Sequence, residues 1–196
     1  MTNMPDFRLQ FATADDHETL KRILDYATRY LVNDGGAEKD ARALQAGAAI
    51  RSGQYTRGNF ETIVYWKLEA FLYLKPGRNL DRNEDEEIAD ALRLAVDART
   101  PRAAISVLCG LLGVRVPVAS AVLTAIDPER YTVIDKRALH ALGAASNDVT
   151  TELYLAHLGA CRKLAGRYHV ELRTLDRALW RWSEEQPKTR SRANSS

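Results

Sequence analysis

The chain has 196 residues, of which 45% are hydrophobic and 28% charged, with a formal net charge of +2 and two cysteines. That is enough apolar mass for a full core, in one domain or two small lobes. The near-neutral balance excludes a uniformly basic nucleic-acid coat, and no run reaches the roughly 20 apolar residues that cross a bilayer.

The first 13 residues read as irregular and carry no basic segment followed by an apolar one, so no secretory signal is expected and the protein is predicted to be cytoplasmic. Asp15 or Asp16 caps a first helix, whose apolar positions Leu20, Ile23, Leu24, Ala27 and Leu31 recur at helical spacing. An Ala-rich second helix spans about 38–50. A third follows with one stripe of Phe60, Ile63, Val64, Leu68, Phe71 and Leu72, and Pro76-Gly77 ends it. Asn83 with Glu86 three residues on predicts a capping box for a fourth helix, and Glu84 to Glu87 place negative charge at its positive dipole end. Thr100-Pro101 opens a fifth, with proline at its tolerated first position.

Residues 111–142, LLGVRVPVASAVLTAIDPERYTVIDKRALHAL, follow. Gly113 permits a tight turn between two helices. The helix from Pro117 is apolar all round and must be buried. Asp127-Pro128 breaks that helix, Tyr131 to Ile134 runs on in extended form, and Asp135 stands at the next helix start. Free amides at the tip of the new helix form a ready phosphate site, with Gly113, Arg115 and Val118 as donors. Asp135 also has a plain role, as the cap of its own helix. Between Arg99 and Leu142 there are six basic residues against three acidic, a modest local positive surplus.

Thr150 or Thr151 caps a long helix with Tyr154, Leu158, Cys161 and Leu164 inward, and a last helix carries Leu172, Leu175, Leu179 and Trp182. From Gln186 the chain is polar and basic and reads as a disordered tail. Alternation typical of strands never persists. The prediction is an all-α fold of eight or nine helices, one domain over 1–185 with two lobes and a cleft near 111–142, then the tail 186–196. Cys109 and Cys161 read as buried free thiols with no partner at ligand spacing, so no zinc or iron–sulfur site is expected.

LLGVRVPVAS followed by VIDKRALHAL resembles the hairpin and catalytic aspartate of the helix-hairpin-helix DNA glycosylase superfamily, the base-excision repair fold. Leu111, Gly113, Val114 and Ala119 match the hairpin, and Asp135 falls where the family's aspartate falls. Arg115 stands in place of the second glycine, Leu112 in place of the proline, and Lys136-Arg137 in place of the usual pair after the aspartate, which marks a divergent member. The resemblance implies a two-lobed helical bundle that binds double-stranded DNA and responds to DNA damage. Its hairpin holds a backbone phosphate, with room for a monovalent cation. Asp135 acts as the catalytic group, and Gly113, Arg115, Val118, Lys136 and Arg137 contact DNA. Members that also cut the strand carry a lysine where Pro117 stands here, so a monofunctional glycosylase leaving an abasic product is expected. An extruded base needs a pocket, for which Tyr26, Tyr30, Tyr65 and Trp66 are the candidates. Lys67 reads as a snorkelling surface lysine and His140 as a helix-surface histidine. The rival reading is a DNA-binding module that keeps the hairpin and has lost the chemistry, with Asp135 only a cap.

Overall fold

The computed structural model describes residues 5–33, 35–72, 79–144, 146 and 148–187. Pro76-Gly77 and the basic tail beyond Pro187 lie outside these. The fold is all-α: the described residues form nine α-helices and one 3-10 turn, with no strand. The helices are α1 (Asp16–Val32), α2 (Gly36–Arg51), α3 (Arg57–Leu72), α4 (Asp85–Asp97), α5 (Pro101–Leu108), α6 (Val116–Ile126), α7 (Lys136–Ala141), α8 (Thr151–Tyr168) and α9 (Leu172–Glu185). None is long and apolar enough to cross a membrane.

Local chemistry sets most boundaries. Asp15 caps α1 by accepting from the His17 amide at 2.8 Å. Thr100 caps α5 and Thr150 caps α8, each through its hydroxyl. The start of α4 differs from the expected Asn83/Glu86 box by one residue. Glu84 is the cap, and its amide donates to the Glu87 carboxylate at 2.8 Å. Asn83 is 3% exposed and has a longer reach. Its side-chain amide accepts from the Leu112 N–H at 2.7 Å and donates to the Leu112 carbonyl at 3.0 Å. Asn83 therefore clamps the hairpin 29 residues away.

At the centre lies α6, in which every residue except Pro117 is buried, as its all-round apolar sequence requires. It packs against α2, α3 and α5. A Cβ on Gly47 would stand 2.0 Å from the Ala125 carbonyl oxygen, so only glycine lets α2 approach α6 this closely. The buried apolar side chains form two clusters. One surrounds α6 and includes Phe60, Ile63, Ile105, Leu108 and Tyr154. The other joins Ile23 of α1, Cys161 of α8 and Leu175 and Leu179 of α9 to Leu9 and Phe11. The N-terminal stretch is thus irregular, as expected, but anchored: the Arg8 and Gln10 amides donate to the Leu142 and Ala141 carbonyls at 2.9 Å. Cys161 is buried, whereas Cys109 is only partly so.

Candidate active site

The extended segment after α6 is pinned from two sides. The Ser120 hydroxyl accepts from the Ile134 amide at 3.1 Å while donating to the Pro117 carbonyl at 2.9 Å. From α8, His157 Nε2 lies 3.0 Å from the Val133 carbonyl oxygen, which makes Nε2 the protonated nitrogen of a neutral ring. Burial holds this imidazole down at about 4, against the smaller opposing pull of the Val133 carbonyl and the Asp135 charge. These bonds fix the backbone directly before Asp135.

Asp135 is the cap of α7, its Oδ1 accepting from the Ala138 amide at 2.8 Å. Its Oδ2 accepts from Lys67 Nζ of α3 at 2.5 Å. The carboxylate is 19% exposed and the lysine side chain 13%. Burial alone would raise the Asp135 pKa, but the Lys67 ammonium and the amides of Ala138 and Arg137 outweigh it and hold the pKa below the usual carboxylate range. Asp135 is therefore an anion at neutral pH. The expectation for Lys67, a surface lysine, is corrected: it is drawn inward because its partner is.

Both groups open into a cleft of about 850 Å³. Val114, Arg115 and Pro117 of the hairpin line the same cleft, as do Lys136 and Arg137. Seven basic and three acidic side chains line it, a surplus of four positive charges in a chain whose whole net charge is +2. Three of the seven cations are met by acids just outside the lining, Arg173 by Asp40, Arg137 by Glu184 and Arg181 by Glu184 and Glu185, so the surplus is smaller than the lining count.

Its inner wall is polar and buried. Arg173 of α9 is 5% exposed and forms ion pairs with Asp176 of the same helix and Asp40 of α2. Its guanidinium lies 4.9 Å from the centre of the Trp66 ring and 5.6 Å from that of Tyr30. Tyr30 meets Trp180 edge to face at 5.4 Å, and the Arg137 guanidinium sits 4.3 Å over Trp180. Burial pushes the Asp176 carboxyl up to about 6; Arg173 pulls it back and the nearby Asp135 charge adds to the rise. Two of the three carboxylates in the cleft therefore stand in opposite electrostatic situations, Asp135 held ionised and Asp176 with its pKa raised to about 6.

Of the residues expected at the site, Asp135, Arg115, Lys136, Arg137, Tyr30 and Trp66 line the cleft. Others do not. Val118 is corrected: its side chain is buried and its amide donates to the Arg115 carbonyl at 2.9 Å, closing the first turn of α6, so it offers no donor to a phosphate. Gly113 is exposed with φ +79° at the hairpin tip, outside the cleft lining. Tyr26 packs edge to face on Phe11 at 5.2 Å beneath the Arg29 guanidinium, one helical turn short of the cleft. Tyr65 is 53% exposed, because it follows Val64 and precedes Trp66 on faces roughly 100° apart. Arg137 is already engaged by Glu184 at 2.9 Å, which leaves Arg115 and Lys136 the more available cations.

Four residues of the site were not anticipated: Lys67, Asp40, Arg173 and Asp176. Their signal lay in the apolar stripes. Lys67 stands three and four residues after Val64 and Ile63, Asp40 three before Ala43, and Asp176 beside Leu175 and three before Leu179. A charge on the buried stripe of a helix needs a partner there. Among the described residues, no group of three or more metal-ligating side chains comes together. No protein-family model matches the chain, and no match is found among the curated proteins or the solved structures.

Proposed function

We propose that the protein is a helix-hairpin-helix DNA glycosylase-like hydrolase that releases a damaged or modified base from double-stranded DNA. The reading rests on the shared cleft: an ionised carboxylate, Asp135, and the hairpin residues Arg115 and Pro117 border the same basic space. In this reading the two apolar clusters are the two lobes, and α5 and α6 with the Gly113 turn are the helix-hairpin-helix.

The chemistry follows from the charge. Breaking an N-glycosidic bond builds positive charge on the sugar, so a fixed carboxylate gains most in the transition state. Asp135 is that group, and it also orients the attacking water. The base leaves the stack at a cost of a few kcal/mol and stacks against Tyr30 and Trp66, while Arg115 and Lys136 hold the backbone. Pro117 carries no amine, so water performs the base-release step. In a panel of damaged and modified duplexes, wild type is expected to release at least one base, and Asp135→Asn to do so about 10²–10⁴-fold more slowly. Undiminished release by that variant removes Asp135 from the role.

A second reading has its own observation. Both Asp135 oxygens are already engaged, one by the Ala138 amide and one by Lys67, as in a purely structural cap. A DNA-binding module with a spent site would show salt-sensitive duplex binding and no base release across the same panel.

A further inference from the structure

The hairpin between α5 and α6 is packed into the core by Leu111 and Val114, which are 7% and 5% exposed. Leu112 and Gly113 between them stand in water, Leu112 at 44% exposure. Burial does little to fix that pair; a buried side chain from another element does. Asn83, in the turn before α4, takes both main-chain groups of Leu112. Its Oδ1 accepts from the amide at 2.7 Å and its Nδ2 donates to the carbonyl at 3.0 Å. Nδ2 also donates to the Leu80 carbonyl at 2.9 Å, and Arg57 of α3 donates to the Asn83 carbonyl. The asparagine is fully engaged, as a polar group at that depth must be. It can shift only if α3 and the turn at 79–82 shift with it.

The core does not need this grip, because the tip that Asn83 holds adds no buried side chain of its own. What the grip fixes is the direction of the residues that follow. Among the described residues the Gly113 and Arg115 amides make no hydrogen bond, and the exposed Arg115 side chain has no acidic partner. Leu112 stands where the hairpin motif has a proline. It lacks the stiffness of that ring, and it offers Asn83 the N–H that a proline would not have.

We infer that Asn83 is a positioning residue for duplex binding. It presets the hairpin tip, so that the free amides and the Arg115 guanidinium meet a backbone phosphate without first having to be ordered. A segment ordered before association loses less freedom on binding. The order comes here from a residue 29 positions away that touches no ligand. The inference rests on the hairpin being a DNA contact, and it holds whether or not a base is released.

The test is a double-mutant cycle on the full chain with a short duplex, read as affinity and as salt slope. Arg115→Ala removes the phosphate contact and Asn83→Ala its support. Well below its thermal transition, Asn83→Ala is expected to bind about tenfold more weakly than wild type, with a salt slope lower by about 0.9. Arg115→Ala is expected to cost much less in that background than alone, because both changes lose the same contact. Additive losses, or wild-type binding by Asn83→Ala, overturn the inference. Measurements on wild type cover a variant that does not fold. The Leu112 amide is expected to be protected from hydrogen exchange, and the Gly113 and Arg115 amide resonances to shift when duplex is added. An unprotected Leu112 amide, or a tip that duplex leaves unshifted, overturns the inference as well. A wild type that binds no duplex removes the inference together with its premise, whereas duplex binding indifferent to Asn83 removes the inference and leaves the premise standing.

Discussion

The surroundings of α6 and the cleft-facing side of α9 are equally buried and differ in kind. Around α6, burial is apolar, and the polar side chains Ser120 and Thr124 bond to backbone. On α9, Leu175 and Leu179 are fully buried beside Arg173 and Asp176, which are 5% and 4% exposed. The first region follows the rule that removing apolar surface from water drives folding. The second runs against it, since a buried ion pair commonly costs more in desolvation than it returns. Charge retained at that cost, on the wall of a cleft, is the feature that the proposed function would account for.

The sharpest break of this comparison is at Arg173. Arg173→Ala leaves Asp176 buried without its ion-pair partner and Asp40 with Arg177 alone, and is expected to cost about 3–5 kcal/mol in urea unfolding. Leu123→Ala, in the fully apolar region, is expected to cost about 2–5 kcal/mol through the cavity it opens. The regions separate on a second change. Replacing Asp40, Arg173, Asp176 and Arg177, the four members of the network, together by leucine, methionine, leucine and methionine is expected to be neutral or stabilising by about 1–4 kcal/mol. No such rescue exists for Leu123.

A smaller effect divides the buried titratable groups by sign. The His157 pKa is depressed to about 4, so its contribution to stability is present above its unfolded value of 6.5 and is lost as pH falls through that window. The Asp176 pKa is raised to about 6, so its contribution is present below 3.8 and is lost as pH rises. The two oppose each other, each by up to about 3 kcal/mol. Relative to wild type, His157→Gln is expected to be better tolerated at pH 4 than at pH 7, and Asp176→Asn better at pH 7 than at pH 4, in thermal melts at both. Smallest is the rim: Arg115→Ala is expected to reduce the salt slope of duplex binding by about 0.9, the release of one counterion.

Periodicity sufficed where burial was apolar. The Phe60, Ile63 and Val64 part of the α3 stripe, the all-round hydrophobicity of α6 and the caps Asp15, Thr100 and Thr150 each follow from short-range chemistry that a sequence displays directly, while the Phe71 and Leu72 side chains lie outside the described residues. Long-range polar contacts are another matter. Asn83 reads as a helix cap because Glu86 stands three residues on, and nothing within its own turn signals that its amide holds Leu112. Tyr30 differs from Tyr26 by one helical turn along α1 and Trp66 from Tyr65 by the side of α3 it occupies, and the cleft is assembled from six separate segments. Asp135 was legible because it satisfies a local rule, the cap of α7. Lys67 was misread because its defining contact is 68 residues away.

The Ser120 hydroxyl touches the first turn of α6 through the Pro117 carbonyl and the run-up to Asp135 through the Ile134 amide. One oxygen atom therefore sets the spacing between the hairpin's grip and the acid. If α6 slid by a fraction of a turn, residue 135 would travel with it. The two ends behave like the jaws of a calliper locked at one setting, and in the proposed function the span they fix is that from a phosphate at the hairpin to the sugar beside Asp135.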